Sequence, residues 1–296
     1  MKAVVTGALG FIGSTVTDLL IENGHSVVGI DNLSTGFKEY ANPRAEYIYQ
    51  DCSTFKNYSD FDWCFHLAAW PRIQPSFEEL SGHDENNIGV TIKILENIQH
   101  AKKKPKIIYS SSSAIYGDSK EFPTTENSPI APLSPYALQK YTSECYVELL
   151  AKRWSSPYAC LRYFNVYGPR SFNEKNKWNA YTSVIGIFHR QATSTGIMTV
   201  TGDGEQRRDF VHVRDVALAN LRAAESGIGA FNVGIGQAYS VLEIAKKFQK
   251  IHSAKIEFIP ERKGEAFQTL ADSSRLQSIG WKPEWTLDRA IEQASL

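Results

Sequence analysis

Ala3-Val4-Val5-Thr6-Gly7-Ala8-Leu9-Gly10-Phe11-Ile12-Gly13 reads as an apolar strand running straight into a glycine turn, with helical spacing from Gly13 to Asn23. Glycines so placed permit a tight turn, let backbone approach a pyrophosphate and let the helix pack closely on the strand. The helix N-terminus then offers free N–H groups to an anion. A second strand, Ser26-Val27-Val28-Gly29-Ile30, ends on Asp31, about twenty residues past the turn, where a carboxylate can bind the hydroxyls of an adenosine ribose. That carboxylate would repel a 2′-phosphate. The pattern therefore predicts NAD over NADP, since Lys38, the basic residue close in sequence, is poorly placed to compensate.

Further strands are expected at Tyr47–Tyr49, Trp63–His66, Lys106–Tyr109 and Tyr158–Arg162, with helices over Asn86–Ala101 and Pro135–Trp154. Ile88, Ile92, Leu95 and Ile98 recur at three- and four-residue spacing, the mark of a helix with one buried face. Strands alternating with helices predict an α/β fold, a Rossmann-type doubly wound parallel sheet. From Gly168 the texture changes to polar loops and short elements, including an amphipathic stretch at Ser183–Thr193 and a last helix at Leu287–Ala294. The expected division is a nucleotide-binding domain over 1–167, to which some later segments return, and a smaller C-terminal substrate-binding α/β lobe over 168–296.

Acids and bases balance at 32 each, and the dense basic run Lys102-Lys103-Lys104 reads as a solvated helix end. Charge thus gives no reason to expect a nucleic-acid partner. Cys52, Cys64, Cys145 and Cys160 form no C-x-x-C pair, which suggests thiols in a reducing compartment. No apolar run reaches a spanning length, so no membrane is expected and the cytoplasm is the expected location. No metal site is predicted.

The Gly-x-x-Gly-x-x-Gly spacing, followed by Ser134-Pro135-Tyr136-Ala137-Leu138-Gln139-Lys140, resembles the extended short-chain dehydrogenase/reductases of the NAD-dependent epimerase/dehydratase type. The similarity covers nearly the whole chain. A Tyr and a Lys four apart project from one helix face. A nearby ammonium favours the phenolate of a group that otherwise titrates near 10. The resemblance implies that Tyr136 is general base and acid, and that Lys140 lowers its pKa and binds the nicotinamide ribose. Aligning Ile115-Tyr116-Gly117 with the family's Val-Tyr-Gly puts Ser112 at the hydroxyl position of the triad, with Ser113 as the competing choice. The same resemblance implies cofactor contacts from Gly7, Gly10, Phe11, Ile12, Gly13, Asp31, Asn32, Ser34, Asp51, Cys52, Leu67, Ala68, Ala69, Asn87, Ser110 and Tyr163.

The segment Leu161–Arg170 resembles the family's diphosphate-sugar contact, which gives Asn165 that role. Gly202–Val213 and Pro260–Glu265 resemble loops that deliver arginines to the phosphates, namely Arg208 and Arg262. Arginine suits this because its planar fork binds phosphate oxygens in pairs. His212, inside a strand-like run, reads as structural.

Sugar 4,6-dehydratases carry an Asp-Glu pair just before the Val-Tyr-Gly, and decarboxylases commonly a Glu. This chain has Ser113-Ala114. The resemblance therefore narrows to nucleotide-sugar 4-epimerases of the UDP-hexose type, with a UDP-sugar as substrate and a homodimer formed through the helices Asn86–Ala101 and Pro135–Trp154. The alternatives are an NAD(P)-dependent reductase or dehydratase acting on such a sugar, or a non-catalytic dinucleotide sensor. Pro71 stands where the galactose-type enzymes have Lys. Thr269 falls beside the expected hexose 2-substituent, and its small side chain suggests that N-acetyl sugars are accepted.

Overall fold

The computed structural model describes residues 1–171, 183–261 and 266–293. Twelve strands are present among them: β1 Lys2–Thr6, β2 Ser26–Asp31, β3 Glu46–Tyr49, β4 Trp63–His66, β5 Lys106–Ser112, β6 Tyr158–Tyr163, β7 Asn165–Tyr167, β8 Ile197–Thr201, β9 Arg207–His212, β10 Gly229–Val233, β11 Ala238–Ser240 and β12 Lys255–Ile259. Seven form one sheet in the order β10-β6-β5-β4-β1-β2-β3, every pair parallel. Chain order reverses between β1 and β4, the position where ligands bind open parallel sheets.

These strands are apolar on both faces because both are covered. Ala3 and Val5 join Val16 and Leu20 of the helix Phe11–Glu22 and Val213, Val216 and Ala217 of the helix Val213–Ser226. Val4, between them, turns to the opposite face with Ile94, Leu95 and Ile98 of the helix Val90–Gln99 and Val147 and Ala151 of the helix Pro135–Arg153.

The remaining strands form a sheet in the order β11-β9-β7 and a parallel pair β12-β8. The helices Val184–Ser194 and Val241–His252 pack over them through Ile185, Phe188, Ile244 and Phe248. Residues after 167 serve both bodies, since β10 completes the main sheet beside β6. Among the described residues, no helix is long and apolar enough to cross a membrane.

The stretch expected as one helix from Asn86 is broken. Helices Ile73–Glu78 and Leu80–Asp84 lead into a π-helical turn, Glu85–Gly89, before the regular helix begins at Val90. A π-turn inserts a residue and shifts which side chains face a neighbour.

Candidate active site

A cleft of about 1180 Å³ opens beyond the carboxyl ends of β1, β4, β5 and β6. Gly7, Gly10, Phe11, Ile12 and Gly13 form its floor; Asp31, Asn32, Ser34, Asp51 and Cys52 line one end, and Ser110, Ser112, Tyr136, Lys140 and Tyr163 the other, with Leu67, Ala68 and Ala69 between. Fifteen of the sixteen expected cofactor residues and the expected triad thus share one cavity, although they come from segments more than 150 residues apart.

The floor can only be glycine at two points. A Cβ on Gly7, whose φ is +69°, would stand 2.8 Å from the Ala68 nitrogen, and one on Gly13 only 2.0 Å from the Gly7 carbonyl oxygen. The cradle is therefore bare backbone at a helix N-terminus, and it fits a pyrophosphate. At the far end, Asp31 accepts from the Leu9 and Leu33 amides at 2.9 and 2.8 Å, which fixes its carboxylate beside the cleft. Burial raises its pKa, opposed by those two bonds. Lys38 does not approach as a counter-charge to Asp31; its ammonium lies 4.7 Å from the ring centre of Tyr49. These residues fit NAD.

The strand-end segment is held by a chain of hydrogen bonds with one consistent proton order. Thr91 Oγ1 donates to the Asn87 carbonyl at 2.7 Å, so it accepts from His66 Nε2 at 3.0 Å; His66 Nδ1 then accepts from Thr6 Oγ1 at 2.9 Å, and Thr6 Oγ1 accepts from the Ala68 amide at 3.3 Å. His66 must be neutral in this chain. Burial, helped by the Lys140 charge, accordingly pushes its pKa down to about 3.

Asn87 itself requires a correction. It does not line the cleft; its side chain clasps the main chain of Trp70, taking the amide at 2.8 Å and giving to the carbonyl at 3.2 Å, and donates to Gln139 at 2.8 Å. Asn86 lines the cavity instead. The π-turn is the reason, because it advances the side-chain phase by about one position relative to an α-helix.

Helix Pro135–Arg153 begins where the sequence requires, with Ser134 Oγ capping the Ala137 amide at 3.2 Å and Pro135 in the first turn. The Tyr136 amide is bound by Ser76 Oγ at 3.1 Å. This aims Tyr136 at the end of β5, where its hydroxyl pairs with Ser112. Burial pushes the Tyr136 phenol up to about 12, with the Ser112 bond pulling the other way. Burial also pulls Lys140 down to about 7, and its ammonium donates to the Ser110 carbonyl at 2.8 Å. Ser113, the competing hydroxyl, starts a 3-10 turn and is absent from the cavity lining.

The expected substrate residues form an adjoining group rather than part of this cavity wall. Asn165 lies on β7 between the lining residues Phe164 and Val166. Thr269 accepts from the Asp209 amide at 3.2 Å and donates to Asn165 Oδ1 at 3.3 Å. Arg208 Nη1 donates to the Arg207 and Phe267 carbonyls at 3.0 and 2.9 Å. Arg262 lies outside the described residues. His212 is structural: it stacks on Trp285 with ring centres 4.3 Å apart and caps the Arg214 amide. Trp70, Pro71, Thr35 and Ser111 also line the cleft. Sequence reasoning missed Trp70 and Thr35 as site residues, and the one available signal was their adjacency to the strand ends.

A family model for the NAD dependent epimerase/dehydratase family matches residues 3–234. A UDP-glucose 4-epimerase of Mycolicibacterium smegmatis is 30% identical across 98% of this chain and 96% of its own. The crystal structure of UDP-glucose 4-epimerase from Thermotoga maritima with UDP-glucose superposes with a TM-score of 0.92 at 35% identity, covering 99% of this chain and 96% of that one. A UDP-N-acetylglucosamine 4-epimerase from Methanobrevibacter ruminantium in complex with UDP-N-acetylmuramic acid gives 0.90 at 34%, covering 99% and 94%. With its glycine cradle, its aspartate at the end of β2 and its Ser-Tyr-Lys cluster, the chain belongs to the NAD dependent epimerase/dehydratase family.

Proposed function

We propose that this chain is a nucleotide-sugar 4-epimerase that works with NAD. The observation that carries this is the meeting of Ser112, Tyr136 and Lys140 at one end of a dinucleotide-sized cleft, beside Ser113-Ala114, which supply neither acid nor base for elimination. Tyr136 takes the proton of the sugar 4-hydroxyl, and Ser112 holds that oxygen as it becomes a carbonyl. Lys140 stabilises the phenolate by its charge. NAD held in the cleft would supply the hydride acceptor, and afterwards the hydride donor, for C4 of the sugar. The residues proposed to hold NAD are those of the cleft, with Asn86 in place of Asn87.

The nucleotide we propose is UDP, supported by the UDP-sugars bound in both related crystal structures. Asn165, Arg208 and Arg262 are the proposed diphosphate contacts. Thr269 leaves room at the hexose 2-position for an N-acetyl group, a reading supported by the 34% identity to an N-acetylglucosamine epimerase. Incubating the purified protein with UDP-, dTDP- and GDP-sugars and reading products by NMR should show 4-epimers of UDP-hexoses, including UDP-N-acetylglucosamine, with no added cofactor consumed. Net oxidation or reduction, or loss of water, would replace this reading with a reductase or a dehydratase.

We further propose a homodimer in the cytoplasm, the location suiting four free cysteines. Leu138, Tyr146 and Leu149 are exposed along one side of the helix Pro135–Arg153 at 55%, 38% and 63%, an apolar stripe of the kind that marks an interface. Light scattering should give a dimer and Leu149→Glu a monomer; a monomeric wild type would end the proposal.

A further inference from the structure

Glu144 lies one helical turn beyond Lys140 on the same helix, and Arg162 lies on β6. Both are buried. Arg162 Nη2 is 2.6 Å from Glu144 Oε1, and its Nε donates to both carboxylate oxygens at 3.1 and 3.3 Å. The remaining capacity is used as well: Ser111 Oγ donates to Glu144 Oε2 at 2.6 Å, and Arg162 Nη1 donates to the Tyr116 hydroxyl at 2.8 Å and the Glu126 carbonyl at 2.9 Å. Tyr116 passes its own proton to Asn232 Oδ1 at 2.7 Å.

Stability is a weak reason for such a pair, because two well-packed apolar side chains of the same volume serve a buried site as well or better. Its geometry suggests another use. Lys140 holds the Ser110 carbonyl and Glu144 holds the Ser111 hydroxyl, so two bonds one helical turn apart fasten the end of β5 to the helix that carries Tyr136. Ser112 is the next residue along that strand. The pair is also electrically closed. Lys140 is faced by Tyr136 on its own helix, by the Tyr109 ring 5.2 Å away on β5, and by His66 on β4, which is neutral. The Glu144 charge, the nearest full anion along its helix, is cancelled by Arg162.

We propose that Glu144 and Arg162 are a positioning pair for the epimerisation, a charge-neutral crosspiece that holds Ser112 in register with Tyr136 without disturbing the Tyr136–Lys140 charges. This rests on the reading of Ser112, Tyr136 and Lys140 as the reacting groups. The test measures kcat and KM against pH for the full-length, NAD-loaded protein and three variants. Arg162 cannot shed its proton, so Glu144→Gln leaves an uncancelled buried cation on β6 opposite Ser111, one residue from the hydroxyl partner of Tyr136. That favours the phenolate, and the acid limb of kcat moves down by about one pH unit. Glu144→Gln with Arg162→Met removes both charges and returns the limb to its wild-type position. Ser111→Ala leaves no charge uncancelled and removes one fastening, so kcat falls about 10-fold with KM and the limb unchanged.

An unmoved limb in Glu144→Gln, or a wild-type kcat in Ser111→Ala, overturns the proposal. Should Glu144→Gln not fold, Ser111→Ala and the double variant decide it: the proposal fails if Ser111→Ala keeps full kcat or if the double variant's limb is displaced. Activity in Tyr136→Phe would instead overturn the underlying site reading, which keeps the two failures apart.

Discussion

Tyr136→Phe should lower kcat by about 10³-fold, the weight of a general acid–base group, while the purified protein keeps its NAD. The reason lies in one cause acting with two signs. Burial pushes the Tyr136 phenol up to about 12 and the Lys140 ammonium down to about 7. Neither ion is favoured alone in that dry corner, whereas a phenolate and an ammonium formed together stabilise each other. Phenylalanine keeps the ring and its packing but has no proton to exchange, so the sugar 4-hydroxyl meets no base. The measurements are epimer formation by NMR and the nucleotide released on denaturation. Turnover within a few-fold of wild type would show that another group takes the proton.

The second large effect is expected from Gly13→Ala, a single methyl group far from the reacting atoms. It would place carbon 2.0 Å from the Gly7 carbonyl oxygen, and that oxygen belongs to backbone. No side chain can rotate to relieve the contact, so the turn must move off the helix. Overpacking of this kind costs about 1–3 kcal/mol in stability. The displaced turn should also weaken NAD binding on the order of 100-fold, as a lost set of anion contacts at a helix terminus implies. Thermal unfolding with and without NAD separates the two effects, because the ligand raises Tm only in a protein that still binds it. An alanine variant that is purified fully loaded with NAD would contradict the close-packing argument.

The sequence was legible where local chemistry and position coincide. Gly7, Gly13 and Asp31 mark a strand–turn–helix–strand unit whose geometry allows little variation, and Tyr136 and Lys140 share a helix face by spacing alone. Asn87 was misread because a π-turn leaves no trace in hydrophobic periodicity, and its insertion transferred the cleft-facing position to Asn86. Trp70 and Thr35 went unnoticed as lining residues for a different reason: their place at the cleft follows from which strands are neighbours, which is a property of the whole sheet. The bonds of Thr269 to Asn165 and Asp209 depend likewise on a meeting of segments 60 or more residues apart. No spacing rule encodes such a meeting.

The place of β10 bears on how the protein is made. Its partner β6 ends at Tyr163, yet β10 itself spans Gly229–Val233, and the helix Val213–Ser226 that covers one face of the sheet comes just before it. During synthesis the glycine cradle emerges early, but the outer edge of β6 and the apolar side of the helix Phe11–Glu22 stay bare until some 60 further residues have left the ribosome. The main sheet, whose strand ends frame the cleft, is thus completed from the far side of the chain, and it cannot mature as an independent piece before β7, β8 and β9 of the smaller body have been made.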